Sequence, residues 1–378
     1  MKLNRRAFFL TAASASRILG ANDRIRVAGI GVGGRGTYDL NLAAKAENTQ
    51  VMAVADVSAP RLALVKQQLA PDGQAYKDYR ELLDRKDIDA VIIGSPDHWH
   101  VQMIMDSVAA GKDVYCEKPV THSIEEGEKL LAATEGTKQV VQIGYQQRSW
   151  AHYQQAREIF ISGALGSVPL IQSSWYQAYS HEIQAPAAAD IDWKAFCGTA
   201  PAQPFDPLRL VRWRWFWDFG GGHLTDLFSH WVDVIHWYIG EPSPINVDAQ
   251  GTSNVFPEYQ CPDTIVATYE YPKGYNVVHT GSLAPAVEDG NIIFRGRNAT
   301  MRLNRGGFAV YRETNGKANP LLPPPSLVVD SPKDGTADHM KNFLDCVRSR
   351  NTPNAPLFSS IAAARAAHLG NISYRKKA

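Results

Sequence analysis

IRVAGIGVGGRG, residues 25–36, decides how the rest of the chain is read. Its first six residues are a β-rich apolar run that passes straight into glycines and then a helical segment. Gly29, Gly31 and Gly34 carry the GxGxxG spacing, with Gly33 between them. That spacing means a tight turn, close backbone approach to a pyrophosphate, and a helix N-terminus facing the anion. Alone it is a weak signal; strand, glycines, helix and next strand in succession make it specific. The second strand, TQVMAVAD (49–56), ends at Asp56, where a carboxylate would bind the adenosine ribose 2′-hydroxyl and repel a 2′-phosphate. This favours NAD over NADP, although Arg35 in the turn could accommodate a phosphate.

Further along, apolar strands keep alternating with amphipathic segments: AVIIG (90–94), DVYCE (113–117) and QVVQIG (139–144) are separated by runs such as HWHVQMIMDSVAAG. Near-continuous apolar strands with helices between them imply a parallel sheet covered on both faces, a doubly wound Rossmann domain over residues 23–148. Ser123 and Glu126 have the spacing of a capping box, which predicts a helix running to about Thr134. After Gly144 the rhythm changes. A helix near 151–162 leads through a strand and a long aromatic loop (176–217) to several strands without intervening helices, which predicts an α+β domain over 149–335 with an open, mostly antiparallel sheet. PLLPPPSLVVDSPKDG (320–335) reads as a proline-rich crossing, and two amphipathic helices over 336–378 are expected to pack back on the body.

Bulk properties narrow the classes. The 378 residues are 44% hydrophobic and 20% charged with a net charge of +1, so no whole-molecule field points to nucleic acid. Four scattered cysteines lack metal or disulfide spacing, and no apolar run has the length of a membrane span. The first 22 residues, with Arg5 and Arg6 ahead of a short apolar stretch, resemble a twin-arginine export signal and predict a periplasmic location; a cytoplasmic one is the alternative.

Ligands of doubly wound sheets bind outside the carboxyl ends of the strands. There stand Ser95-Pro96-Asp97-His98-Trp99-His100, then Glu117-Lys118-Pro119, then Tyr145-Gln146-Gln147-Arg148. Ser95, Pro96, His98, His100, Glu117 and Gln146 are read as lining the nicotinamide side of a cofactor site. Lys118, flanked by a carboxylate and a proline, can hold its ammonium toward the cleft, on a substrate hydroxyl or the cofactor ribose. Farther on, WDFGGGHLTDLFSHW (217–231) admits three readings: the DFG of a kinase, a phosphate cradle, or a metal site at His223, Asp226 and His230. The kinase reading lacks its companion motifs.

GIGVGGRG, SPDHWH, AGKDVYCEKP and GGGHLTDLFSHWVD, in that order, resemble the Gfo/Idh/MocA oxidoreductases, named for glucose-fructose oxidoreductase and inositol dehydrogenase. The resemblance implies a homodimer or homotetramer formed through the second sheet, and export away from the cytoplasmic NAD pool favours tightly held NAD. The resemblance assigns an Asp-x-x-x-His pair to Asp226 and His230. Four residues apart on a helix they would share one face, the carboxylate orienting the imidazole and stabilising its protonated form. His230 would then be a general base with a pKa suited to neutral pH, Lys118 would steady the reacting oxygen, and Arg148, Trp217 and His223 would line the substrate. The triple glycine before this stretch would let substrate approach the backbone, and no metal is required. The expected reaction is hydride transfer between a sugar or polyol carbon and the nicotinamide; the alternative is a glycoside hydrolase using transient oxidation, elimination and re-reduction. A third possibility, a nucleotide-binding regulator without catalysis, sits poorly with an intact Lys118, Asp226 and His230. The resemblance also implies a longer C-terminal tail in export-signal members than follows HLGNISYRKKA (368–378) here.

Overall fold

The computed structural model describes residues 24–288, 290–314, 322–331 and 333–377; the leader reading over 1–22 lies outside them. The first domain alternates β1 (Ile25–Ile30), α1 (Gly34–Ala44), β2 (Thr49–Ala55), α2 (Ala59–Leu69), β3 (Gln74–Tyr76), α3 (Tyr79–Leu83), β4 (Ala90–Ile93), α4 (Asp97–Ala109), β5 (Asp113–Cys116), α5 (Ile124–Thr134) and β6 (Val141–Ile143). The strands lie in the order β3-β2-β1-β4-β5-β6 and pair in parallel throughout. Strand order reverses between β1 and β4, so the helices on either side diverge and leave a crevice at the strands' carboxyl ends. The central strands are buried on both faces, which is why they read as unbroken apolar runs. β3 carried no such signal, because it is a short, largely exposed edge. The capping box is formed at one end: Ser123 Oγ accepts from Glu126 N at 3.3 Å, while the Glu126 carboxylate accepts from His122 N at 2.7 Å.

The second domain begins with α6 (Ala151–Ile161) and β7 (Leu170–Tyr176). The aromatic loop that follows contains α7 (Trp193–Cys197) and α8 (Pro207–Val211), capped by the carboxylates of Asp192 and Asp206. A π-helical turn, Leu224–Phe228, leads into α9 (Ser229–Ile239). The remaining strands are β8 (Asn246–Thr252), β9 (Thr264–Glu270), β10 (Asn276–Ser282), β11 (Gly290–Arg295), β12 (Ala299–Asn304), β13 (Gly307–Arg312) and β14 (Leu327–Asp330). They form one sheet ordered β14-β13-β12-β11-β7-β10-β9-β8, antiparallel except where β7 meets β10. Strand β14 corrects the reading of 320–335 as a bare crossing: it is an exposed edge strand of four residues beside β13, too short to show an alternation.

One face of this sheet is apolar. Along β9, Ile265, Ala267 and Tyr269 are buried while the residues between them are exposed or half-exposed. α10 (Thr336–Ser349) packs on α1, and α11 (Leu357–Arg375) crosses α9, β8 and α5. The C-terminal helices therefore join the two domains.

Candidate active site

The glycine-rich turn has a different register from the one its spacing suggested. Gly31 has φ +72°, and a Cβ there would lie 2.6 Å from Ser95 N. A Cβ on Gly36 would lie 2.0 Å from Gly31 O, so helix α1 can reach the sheet only with glycine at that place. A Cβ on Gly34 meets nothing, and Gly29 lies within β1 beneath Leu40. The working GxGxxG is thus Gly31, Gly33 and Gly36, with Gly29 and Gly34 outside it. Gly33 is the N-cap of α1 and offers no side-chain cap, which leaves the first N–H groups of the helix free for an anion. Asp56 stands at the end of β2, mostly buried, its Oδ1 accepting from Ser58 N at 2.8 Å. Burial pushes its pKa up, against Arg61 and backbone N–H groups that pull it down. The turn, the uncapped helix and this carboxylate fit a dinucleotide.

Arg35 is engaged by two carboxylates. Its Nε donates to Glu117 Oε1 at 3.0 Å and to Asp39 Oδ2 at 3.1 Å. Burial raises Glu117 less than Arg35 and Lys118 lower it, so Glu117 stays ionised and serves as the anchor of Arg35. His98 and His100 are likewise committed elsewhere. His98 Nε2 meets Phe196 O at 2.9 Å and Nδ1 meets Phe219 O at 3.4 Å, tying the first domain to the second. His100 bridges Pro119 O (2.6 Å) and Ser95 O (2.9 Å), bracing two strand-end loops against each other. Both rings brace the loops around the strand ends. Pro96 is the N-cap of α4. Two buried atoms in the same region have no hydrogen-bond partner among the described residues, Ser95 Oγ and Gln146 Oε1, and both are suited to a ligand.

Lys118, at the end of β5, donates to Asp226 Oδ1 and to the Asp226 main-chain carbonyl, each at 2.6 Å. A second cation reaches the same carboxylate oxygen: Arg214 Nε at 3.2 Å. Burial alone would raise Asp226, but Lys118 and Arg214 outweigh it and bring its pKa down to about 2. Close by, Asp97 at the start of α4 is buried, and burial together with Asp226 pushes its pKa well up. One carboxylate of the pair is held ionised and the other is biased toward the acid.

Asp226 does not hold His230, contrary to the four-residue spacing. Asp226 lies inside the π turn, where Ser229 N bonds back five residues to Leu224 O. The wider turn breaks the helical register, so Asp226 faces Lys118 while His230 faces another way. His230 Nδ1 meets Gln147 Oε1 at 3.2 Å, and its ring stacks on Trp175 at 5.5 Å and 23°. Its pKa falls well below 6.5, first by burial and then by the cations Lys118, Arg305 and Arg35, so the imidazole is neutral rather than poised as imidazolium. His223 is also withdrawn: its Nε2 meets Trp175 O at 3.1 Å, and the ring lies so close to Gly281 that a Cβ there would be 2.0 Å away. His223, Asp226 and His230 therefore go to three different partners.

Arg148 was expected to touch substrate; instead its Nε and Nη2 grip Asp233 at 2.8–3.0 Å inside the protein. The Trp217 ring lies 5.0 Å below Arg375 of α11. The triple glycine clears protein, not sugar. A Cβ on Gly220 would sit 2.8 Å from the Arg214 backbone and one on Gly222 2.6 Å from Cys261. That clearance is what lets Arg214 reach Asp226. Sequence reasoning quoted Asp97 and Gln147 within motifs without giving them a role, left Arg214 inside the aromatic loop, and passed over Trp175; no spacing singles them out.

A Rossmann crevice facing a lysine, a carboxylate and a neutral histidine defines a two-domain nucleotide-binding protein. Two family models agree with that class: the oxidoreductase family with NAD-binding Rossmann fold matches residues 25–145, and the GFO/IDH/MocA C-terminal domain matches residues 153–302. The chain belongs to the Gfo/Idh/MocA family. It is 30% identical over 253 residues to inositol 2-dehydrogenase of Salmonella typhimurium, covering 66% of this chain and 64% of that protein. It is 32% identical over 145 residues to an uncharacterised oxidoreductase, YrbE, of Bacillus subtilis, covering 38% of this chain and 42% of that one. The chain thus spans 42% to 64% of the length of these curated relatives. In fold it matches levoglucosan dehydrogenase in complex with NADH and levoglucosan, with a TM-score of 0.72 at 19% identity over 94% of this chain and 98% of that one.

Proposed function

We propose that this protein oxidises a secondary hydroxyl of a sugar or polyol, with NAD as the hydride acceptor. The observation that carries this reading is the arrangement of Lys118, Asp226 and His230 around one mouth of the crevice. The ion pair orients the ammonium, and among the charges acting on the neutral imidazole Lys118 has the largest effect. Lys118 Nζ donates to the alcohol oxygen and stabilises the negative charge that develops there. His230 Nε2 takes the hydroxyl proton, and the carbon–hydrogen bond gives up its electron pair as hydride, leaving a ketone and a protonated imidazole. A nicotinamide dinucleotide held at the Gly31–Gly36 turn would supply the acceptor for that hydride. Asp226 keeps the Lys118 ammonium in place, and Arg214 keeps Asp226 ionised.

Asp56 at the end of β2 and the commitment of Arg35 to Glu117 and Asp39 favour NAD over NADP. The inositol and levoglucosan dehydrogenases among its relatives support net oxidation over the hydrolytic route. The test is direct: purified protein is scanned for bound NAD and offered polyols, aldoses and aryl glycosides. NADH accumulation supports the reading; aglycone release without net NADH supports hydrolysis, and absence of dinucleotide binding by calorimetry sinks both. Tight retention of NAD belongs to the same reading and is tested by whether the cofactor survives gel filtration.

Assembly as a dimer or tetramer through the second sheet is part of the proposal. Its outer face carries Leu170, Tyr176, Val278 and Ile293 half-exposed and Val266 46% exposed. Light scattering of Val266→Glu against the parent protein reads it out. Export through the twin-arginine route is proposed from Arg5 and Arg6 and is tested by cell fractionation of Arg5→Lys/Arg6→Lys.

A further inference from the structure

We infer that Gln147 is the positioning residue of the proposed base: its Oε1 accepts the hydrogen bond from His230 Nδ1–H, fixing the tautomer whose Nε2 lone pair faces the substrate hydroxyl. The inference rests on the assignment of His230 as base. Gln147 follows β6 in the 3₁₀ turn Gln146–Ser149 and is fully buried, so its amide is held by packing rather than by solvent. The contact is 3.2 Å. A neutral imidazole has one donor and one acceptor nitrogen, and an amide oxygen can only accept. Nδ1 must then carry the proton, and Nε2 is left as the acceptor, with no hydrogen bond to it among the described residues.

Everything else packed on the ring leaves this choice to Gln147. Trp175 and Tyr145 contribute only aromatic faces and edges. The charged groups that act on His230 are Lys118, Arg305 and Arg35, all cations, and the neighbouring carboxylates are engaged elsewhere, Asp226 by Lys118 and Arg214 and Asp233 by Arg148. A carboxylate in the place of Gln147 would stabilise imidazolium; a neutral amide orients the ring and leaves it unprotonated. The second observation is the other end of the same side chain. Gln147 Nε2 is buried with no hydrogen-bond partner among the described residues, which leaves it a donor for a bound water or ligand.

Two substitutions and one spectrum test it. Gln147→Leu keeps the volume and removes the acceptor; kcat is expected to fall on the order of tenfold to a hundredfold, with NADH affinity unchanged. Gln147→Glu should move the acid limb of kcat/KM to higher pH, because the new carboxylate favours imidazolium. ¹⁵N-histidine spectra of the parent protein, assigned against His230→Ala, should show His230 protonated at Nδ1. Protonation at Nε2 overturns the inference, as do both Gln147 variants keeping the parent kcat and pH profile while His230→Ala is inactive. Full activity in His230→Ala would instead remove the base assignment on which the inference stands.

Discussion

Lys118 Nζ binds Asp226 twice, once at carboxylate Oδ1 and once at the main-chain carbonyl, each at 2.6 Å. The second bond depends on the π turn, which puts a main-chain carbonyl within reach of a side chain from the other domain. The two domains meet at the Lys118 ammonium, the group proposed to hold the alcohol oxygen.

Removing that ammonium should be costly to turnover and cheap for cofactor binding. Lys118→Met is expected to lower kcat by about 10² to 10³, with NADH affinity by fluorescence titration near the parent value. Parent-like kcat would remove Lys118 from the chemistry.

Arg214 should matter through Asp226. Arg214→Met withdraws one of two cations from the carboxylate, so the Asp226 pKa rises from about 2 toward the ordinary range. Loss of roughly tenfold in kcat is expected, growing as pH falls, whereas Arg214→Lys restores part of it. A flat ratio of variant to parent across pH argues for a packing role only.

The pH profile of the parent protein should be that of a base with a low pKa. His230 is neutral until pH drops well below 6.5, so kcat/KM should lose no base on the way from pH 8 to pH 6.5 and should fall only on further acidification. An acid limb centred at or above 6.5 contradicts the buried, cation-flanked imidazole.

Stability should also be acid-sensitive. His98, His223, His339 and His368 have pKa values lowered to about 4, mainly by burial, against 6.5 when unfolded. The unfolded chain therefore binds more protons between those values, and stability present above pH 6.5 is lost as pH falls toward 4. Tm measured at pH 7, 6 and 5 should drop at each step, faster than a single titrating group allows.

The register of the glycine turn has its own test. Gly36→Ala should destabilise the fold by about 1–3 kcal/mol, because its Cβ overlaps Gly31 O. Gly34→Ala, with open space around it, should stay within about 0.5 kcal/mol. Gly33→Ala should fold normally and bind NAD more weakly, its φ of −65° suiting alanine but its Cβ standing at the helix N-terminus, 3.7 Å from Arg61 Nη1. Equal effects at Gly34 and Gly36 would reinstate the register read from spacing.

Much of the fold was legible because burial on both faces writes parallel strands as unbroken apolar runs, as in AVII at residues 90–93. The edges β3 and β14 were not read, since short strands leave little periodic trace, and neither was β13, which lies one strand in from the edge. Lys118, Asp226 and His230 could be picked out because they stand at strand ends and in a dense motif. Their pairings could not: the sequence spacing joined Asp226 to His230, whereas the π turn separates them.

By itself, the amino-acid sequence determined the nucleotide-binding architecture, the family and the three residues proposed for the chemistry, all properties carried by local pattern. Only the tertiary structure decided who partners whom. Asp226 belongs to Lys118 and Arg214, His230 to Gln147, Arg35 to Glu117, and Arg148 to Asp233. Hydrogen bonds and charges act over a few ångströms of space; Arg214 and Asp226 are 12 positions apart, but the other partners are 82 to 108 apart and come within that range only when the chain is folded.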